Sequence, residues 1–317
     1  MIKILANDGI SNAGKELLEK NGFYVSTENI PQEKLIDVIN TEGYVVLLVR
    51  SATKVRKDLI DACPGLKIIG RGGVGMDNID VEYARSKGIE VINTPGASSQ
   101  SVAELVMAHL FGCARFLYDA NRQMPAKGNT DFKQLKKKYA KGIELRGKKL
   151  GIIGFGRIGQ SVASYALGIG MDVLPFDRNC TSANIRLSLA GNTEVSIELN
   201  TVSLDELLSE SDFITVHVPA QEKPVLGAEE FAKMKDGAIL INAARGGVVD
   251  EKAMLEALDN CKLAAAGIDV FNNEPEPDSA VLNHPKVSLS PHIGAATIEA
   301  QDRIGVELAE KIMDYFK

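Results

Sequence analysis

The sequence predicts an α/β protein built from two doubly wound parallel-sheet domains. Three observations carry that expectation. Short apolar runs alternate with segments of helical periodicity over the first hundred residues, the same alternation begins afresh at LGIIGF, and 317 residues exceed what one hydrophobic core usually organises. In the first series IKILA, FYVST, YVVLLV, LKIIG and IEVINT read as strands, with SNAGKELLEKNG, PQEKLIDVIN, KVRKDLIDAC and DVEYARSKG as the helices between them. Strands that alternate with helices need right-handed crossovers, which build a parallel sheet. In the second series LGIIGF, MDVLPF, FITVHVP, AILINAA, LAAAGIDVF and VSLSP read as strands in the same way.

The stretch joining the two series, SSQSVAELVMAHLFGCARFLYDANRQM, reads as one helix opened by N-capping serines. Residues 125–146, PAKGNTDFKQLKKKYAKGIELR, are polar and basic and read as a surface loop or a partly helical arm. The chain closes on an amphipathic helix, ATIEAQDRIGVELAEKIMDYFK, with Ala300, Ile304, Val306, Leu308 and Ile312 as its expected buried face. Nothing follows that helix, so no C-terminal regulatory domain is expected.

Composition narrows the classes of function. A formal net charge of -6 provides no broad basic surface, so neither nucleic acid nor an anionic membrane is an expected partner. Cys63, Cys113, Cys180 and Cys261 are widely spaced, with no CxxC pair and no histidines at ligand spacing, so reduced thiols and no metal are expected. The absence of a long apolar run or a leader-like N-terminus points to a cytoplasmic protein.

GxGxxG occurs twice, as Gly70 to Gly75 and as Gly154 to Gly159. Context separates the two. The second copy follows the strand KLGII and opens the helix RIGQSVASYALGIG, an arrangement that aims backbone N–H groups and the positive end of a helix at a pyrophosphate. Gly154 makes the tight turn, Gly156 lets phosphate approach the backbone, and Gly159 lets the helix pack closely on the strand. Asp177 ends the next strand, MDVLPFD, at a distance that suits hydrogen bonds to ribose hydroxyls. This half of the chain is therefore expected to be a Rossmann domain that binds NAD, with Arg178 softening the preference over NADP. The first copy runs into the turn-forming Met-Asp-Asn-Ile-Asp, so it is either a plain turn or a set of amides, Gly72 to Gly75, that receives a small anion.

In open α/β sheets ligands sit at the carboxyl edge, so polar residues just past strand ends are the candidates for chemistry. His217 and His292 both lie there, whereas His109 falls mid-helix among Leu105, Val106, Met107 and Leu110 and reads as packing or an interface residue. His292, where the chain leaves the cofactor domain, is expected in the cleft between domains as general acid and base, because imidazole titrates nearest neutrality. Arg245, in NAARGGVVDE, suits a substrate carboxylate through two parallel hydrogen bonds, or else pairs with Asp250 or Glu251 at a helix entry. Glu274, in GIDVFNNEPEP, could hold His292 protonated or be an ordinary loop acid.

GFGRIG, Asp177, HVPA, NAARGGVVDE, GIDVFNNEP and SPHIG together resemble the D-isomer-specific 2-hydroxyacid dehydrogenase family over nearly the whole chain. The resemblance implies a Rossmann NAD-binding domain, residues 98–291, inserted into a flavodoxin-like substrate domain formed by residues 1–97 and 292–317. It implies a catalytic set of Arg245, Glu274 and His292. It implies that Asp269 contacts the nicotinamide side of NAD, that Arg157 and Ile158 follow the pyrophosphate, and that Val74, Val218, Ala243, Ala244 and Gly294 line the cofactor site with Arg245 and His292.

LVRSATKV and GRGGVGMDNID resemble the branch of the family whose substrate carries a 3-phosphate. That likeness implies Arg50 and Arg71 as phosphate-side cations, with Ser51 and the Val74 and Gly75 amides receiving the substrate carboxylate. Lys136 to Lys138 or Lys141, within the basic segment 133–141, are candidates to reach the phosphate across a homodimer interface formed by the helix that starts near Ser98. Gly-Ala-Ala-Thr after His292 departs from the Gly-Gly and small hydroxyl residue that relatives often carry. Two alternatives stay open. One is a family member acting on glyoxylate, hydroxypyruvate or another unphosphorylated acid, and the other is an NAD(H)-sensing binding protein of corepressor type.

Overall fold

The structure is a computed structural model that describes residues 1–317, residue 192 by its backbone alone. The chain forms two compact units, Met1–Ser99 with Ala295–Lys317, and Gln100–Gly294.

The first unit has five parallel strands, β1 (Lys3–Ala6), β2 (Tyr24–Ser26), β3 (Val46–Val49), β4 (Ile68–Arg71) and β5 (Glu90–Asn93), in the order β2-β1-β3-β4-β5. Helices α1 (Asn12–Lys20), α2 (Leu35–Glu42), α3 (Lys57–Ala62) and α4 (Val81–Ser86) connect them. This is the flavodoxin-like doubly wound order, which reverses direction between β1 and β3. Every residue of β3 is buried, as a central strand covered on both faces requires. Leu5, Leu47 and Ile69 pack with Leu35, Ile39 and Leu59 on one face, and Ile4, Leu48 and Ile68 pack with Leu18 on the other.

The C-terminal helix, Ile298–Tyr315, buries Ala300, Ile304, Gly305, Leu308, Ala309 and Ile312. Val306, expected among them, is only partly buried. The inward position belongs to Gly305, which crosses Gly14 of α1 so closely that a Cβ on Gly14 would lie 2.5 Å from the Gly305 carbonyl.

The second unit opens with α5 (Ser99–Ala114), α6 (Leu117–Lys127) and α7 (Phe132–Lys138). Its sheet elements then follow: β6 (Lys149–Ile153), α8 (Arg157–Gly168), β7 (Asp172–Phe176), β8 (Ser182–Leu189), β9 (Thr193–Asn200), α9 (Leu204–Glu210) and β10 (Phe213–Val216). The unit ends with α10 (Ala228–Lys233), β11 (Ala238–Asn242), α11 (Glu251–Asp259), β12 (Leu263–Ile268), α12 (Ser279–Asn283) and β13 (Val287–Leu289). Six strands form one parallel sheet in the order β13-β12-β11-β10-β6-β7, whose direction reverses between β6 and β10.

Three local expectations are corrected. The single helix expected over residues 98–124 is two, because Phe116 adopts a left-handed backbone, φ 57°, between α5 and α6. Pro125, expected to open the surface segment, lies in the last turn of α6, where its missing N–H deprives only the Asn121 carbonyl of a helical donor. Residues 182–200, to which no element was assigned, form an antiparallel ribbon of β8 and β9. Ala183, Ile185, Leu187 and Leu199 share one face of that ribbon and pack on the core beside α8. No helix among the described residues is long and apolar enough to cross a membrane.

Candidate active site

The glycine loop sits at the reversal of the second sheet. Gly154 has φ 95°, and a Cβ there would lie 2.4 Å from the His217 carbonyl oxygen. A Cβ on Gly159 would lie 2.2 Å from the Gly154 carbonyl oxygen, so only glycine brings α8 this close to the turn. At Gly156 a Cβ would meet nothing within 4 Å. It would fill open space in a cavity of about 830 Å³ bordered by Gly154, Gly156, Asp177, Arg178 and Val218. α8 begins at Arg157, and the first-turn N–H groups of a helix, here those of Arg157, Ile158 and Gly159, have no partner inside it. These are the features a dinucleotide pyrophosphate needs.

Asp177 follows β7. Its Oδ2 accepts from the Phe155 N–H at 2.8 Å, and its Oδ1 accepts from Asn179 at 2.8 Å and Cys180 at 3.1 Å. Burial pushes its pKa up, but the three backbone donors outweigh it, and the carboxyl sits below its ordinary range. The group is thus a fixed anion with acceptor capacity left on Oδ2 for a ribose hydroxyl. Val218 and Arg178 border the same cavity.

His217, the other strand-end histidine, borders the cavity with its Nε2 3.0 Å from Thr215 Oγ1 and its Nδ1 buried. Burial lowers its pKa to about 3, which keeps it neutral and unsuited to proton transfer near pH 7.

Arg245, Asp269 and His292 lie just past the carboxyl ends of β11, β12 and β13, three adjacent strands of the sheet. Ala243 and Ala244 are buried in the turn that carries Arg245. That turn is tied by Asn242, whose Nδ2 donates to the Arg245 carbonyl and whose Oδ1 accepts from the Ala244 N–H. Arg245 Nη1 donates to the Ala244 carbonyl at 2.7 Å.

His292 Nδ1 lies 2.7 Å from Glu274 Oε2, and the two side chains are 41% and 36% exposed, so solvent and ligands can reach the imidazole. Glu274 Oε1 accepts from the Phe271 N–H at 2.9 Å, which fixes the carboxylate. His292 itself has φ 53°, uncommon for a side chain of its size. Asp269, 1% exposed, accepts from the Ile293 and Gly294 N–H groups at 2.9 Å each and so staples the turn that presents His292.

In the first unit Arg50 and Arg71 emerge at the carboxyl ends of the paired strands β3 and β4. The Arg50 loop hangs on Asp8, whose Oδ2 accepts from the Arg50 N–H at 2.7 Å and the Thr53 N–H at 3.1 Å, and on Asn78, which donates to the Arg50 and Thr53 carbonyls. Sequence reading singled out neither Asp8 nor Asn78. The Arg50 guanidinium is half-buried and has no hydrogen-bond or ion-pair partner among the described residues. Burial lowers its pKa, and the Asp8 carboxylate opposes that shift. Ser51, beside it, is exposed.

The anion cradle expected from Gly72 to Gly75 is smaller than that. The Gly72 N–H donates to the Val49 carbonyl and the Gly73 N–H to Thr94 Oγ1, so only the Val74 and Gly75 amides remain for a ligand. The Arg71 guanidinium folds over this loop, where a Cβ on Gly73 would lie 1.9 Å from Nη1.

Of the basic segment, Lys138 is ion-paired with Asp119, while Lys136, Lys137 and Lys141 are exposed. No group of three or more His, Cys, Asp or Glu side chains among the described residues could hold a metal ion.

The chain is similar to several known proteins. Residues 107–294 match the D-isomer specific 2-hydroxyacid dehydrogenase family, NAD binding domain. A hydroxypyruvate reductase from Thermotoga maritima is 44% identical over 98% of this chain and 97% of its own length. A D-3-phosphoglycerate dehydrogenase from Methanocaldococcus jannaschii is 42% identical over 98% of this chain, which spans only 57% of that relative. A glyoxylate reductase from Paecilomyes thermophila superposes with a TM-score of 0.83 at 28% identity, covering 100% of this chain and 95% of that one. With the glycine cradle, Asp177 and the strand-end trio in one unit, the family match over residues 107–294 and one relative matched over nearly its full length, the chain belongs to the D-isomer-specific 2-hydroxyacid dehydrogenases, NAD-dependent oxidoreductases of small hydroxy acids.

Proposed function

We propose that the protein is a D-3-phosphoglycerate dehydrogenase, oxidising 3-phospho-D-glycerate to 3-phosphohydroxypyruvate, the step that commits carbon to L-serine. The observation that carries this reading is Arg50, a half-buried guanidinium with no hydrogen-bond or ion-pair partner among the described residues, on which Asp8 acts only through its charge. A partly desolvated cation without a hydrogen-bonded partner is costly, and a doubly charged phosphate offsets that cost.

Arg50 and Arg71 take the phosphate, Ser51 with the Val74 and Gly75 amides and Arg245 take the carboxylate end, and His292 faces the hydroxyl. NAD, held by the Gly154 to Gly159 loop, Arg157, Ile158, Asp177 and Val218, supplies the hydride acceptor. His292 receives the hydroxyl proton at Nε2, since Nδ1 is turned to Glu274. The charge that develops on the imidazole meets the Glu274 carboxylate, which the Phe271 N–H holds in place. In the reducing direction the same proton returns to the substrate oxygen. Ala243, Ala244, Asp269 and Gly294 complete the wall beside the reacting end.

Exposed Phe111, Leu117, Met124 and Phe132 on α5, α6 and α7 support a homodimer built through these helices.

The second reading, reduction of hydroxypyruvate without a phosphate, is favoured by the Thermotoga relative, which matches this chain over nearly its full length. Arg50→Ala separates the two. The KM for 3-phosphoglycerate is expected to rise about 30- to 100-fold, as loss of a charged hydrogen-bonded contact implies, with hydroxypyruvate kinetics little changed. An unchanged KM for 3-phosphoglycerate sinks the phosphate assignment.

A further inference from the structure

Helix α5 carries one imidazole into the core of the second unit. His109 is 6% exposed, and Gly267 of β12 leaves the notch it fills, because a Cβ on Gly267 would lie 2.8 Å from the His109 Cβ. Buried imidazole is tolerated only when both nitrogens are bonded, and both are. Nδ1 lies 3.0 Å from Ser288 Oγ and Nε2 lies 2.9 Å from Ser290 Oγ. Ser288 lies in β13 and Ser290 one residue past its end, so the two, two residues apart, reach the same ring.

The direction of every proton in this chain follows from counting donors. Ser290 Oγ lies 2.6 Å from Asp269 Oδ1, and two backbone N–H groups already donate to that carboxylate, so it acts here as an acceptor. A serine has one proton, and Ser290 spends it on Asp269. Ser290 must then accept from His109 Nε2–H, which leaves Nδ1 to accept from the Ser288 hydroxyl. Burial lowers the His109 pKa, with Asp269 pulling the other way, so a neutral ring of one tautomer satisfies all four groups.

We infer that His109 is a positioning residue for the His292 turn: through its Nε2–H it fixes the Ser290 hydroxyl, which fixes the Asp269 carboxylate that clamps the Ile293 and Gly294 amides. The clamp matters because His292 holds a left-handed backbone, which costs a non-glycine residue about 1 kcal/mol or more and persists only where its surroundings impose it. His109 touches no reacting atom and acts through two intermediaries. Ser288 is the fourth member, since it keeps Nδ1 unprotonated.

The inference rests on the proposed role of His292, so its test has one arm independent of that role. Full-length protein labelled with ¹⁵N-histidine is expected to show His109 with Nε2 protonated and Nδ1 bare from about pH 7.5 to pH 9, above the ordinary histidine range. The opposite tautomer, or titration of this ring within that range, overturns the inference whatever His292 does.

The second arm is kinetic. His109→Leu keeps an apolar side chain but no donor, and kcat is expected to fall about tenfold with KM changed less than about threefold. His109→Gln, whose amide can still donate towards Ser290, is expected to recover kcat to within about threefold of the parent protein. Full kcat in the leucine variant, or equal losses in both, overturns the inference. If the leucine variant does not fold, Ser290→Ala breaks the same chain by loss of one oxygen, and unchanged kcat there has the same force. Undiminished turnover in His292→Ala would sink the parent reading and leave the tautomer result standing.

Discussion

Replacing Glu274 by glutamine preserves its size and removes one charge, and the two hydrogen bonds of that carboxylate set the cost. Oε1 accepts from the Phe271 N–H at 2.9 Å while Oε2 faces His292 Nδ1 at 2.7 Å. A glutamine has a single acceptor oxygen to serve both. If the oxygen stays with Phe271, the amide nitrogen faces His292 Nδ1 and selects the tautomer with Nε2 already protonated, which cannot take a proton from substrate. If the oxygen turns to His292, the Phe271 N–H loses its acceptor. Either way the imidazolium loses a charge-assisted bond, worth about 1.5–3 kcal/mol in proteins and towards the low end here because both groups are more than a third exposed. The expected result is a kcat for hydroxy-acid oxidation about 10- to 50-fold lower. NADH affinity, measured by fluorescence titration, should stay within about twofold, because the carboxylate lies on the imidazole side of the site. A Glu274→Gln enzyme with parental kcat would refute the pairing as a catalytic device.

The folded-state pKa of His217, about 3 against an ordinary 6.5, means that the unfolded chain binds this proton first. Its contribution is therefore intact above pH 6.5 and is lost as pH falls towards 3. Urea titrations of His217→Gln between about pH 6.5 and 4 should accordingly show a pH slope shallower by up to roughly 1.4 kcal/mol per unit, and an unaltered slope would contradict the burial argument. Gly14→Ala places a Cβ 2.5 Å from the Gly305 backbone, so α1 must shift on the C-terminal helix, with an expected loss of about 1–3 kcal/mol in chemical denaturation. No loss would mean that the crossing is looser than described. Phe132→Glu should shift a dimer towards monomer in light scattering, and an unaltered mass would remove α7 from the interface.

Strand ends were the legible part of this molecule. A buried parallel strand is a short apolar run, so the polar residue that breaks it, whether Arg50, Asp177, Arg245 or His292, is visible in one dimension and lands on the sheet edge in three. The β8–β9 ribbon carried a readable signal, alternating Ile185, Leu187 and Leu189 against Val195, Ile197 and Leu199 across Gly191, but a search for parallel-sheet strands passes over it. Val306 failed because helical period alone does not say which of two neighbouring positions faces the core, and the glycine at 305 decided it. Asp8 and Asn78, which hold the Arg50 loop, and Ser288 and Ser290, which meet His109 across 179 and 181 residues, leave no local pattern because hydrogen bonds between distant segments have no spacing to recognise. For the same reason His109 read as packing.

On the proposed reading, Arg50 and Arg71 select a phosphorylated acid over unphosphorylated ones. Steady-state NADH oxidation with 3-phosphohydroxypyruvate, hydroxypyruvate and glyoxylate tests it most directly. A kcat/KM about 100-fold higher is expected for the phosphorylated keto acid, the discrimination that loss of one or two charged contacts would remove. Equal or greater efficiency with hydroxypyruvate or glyoxylate would contradict it.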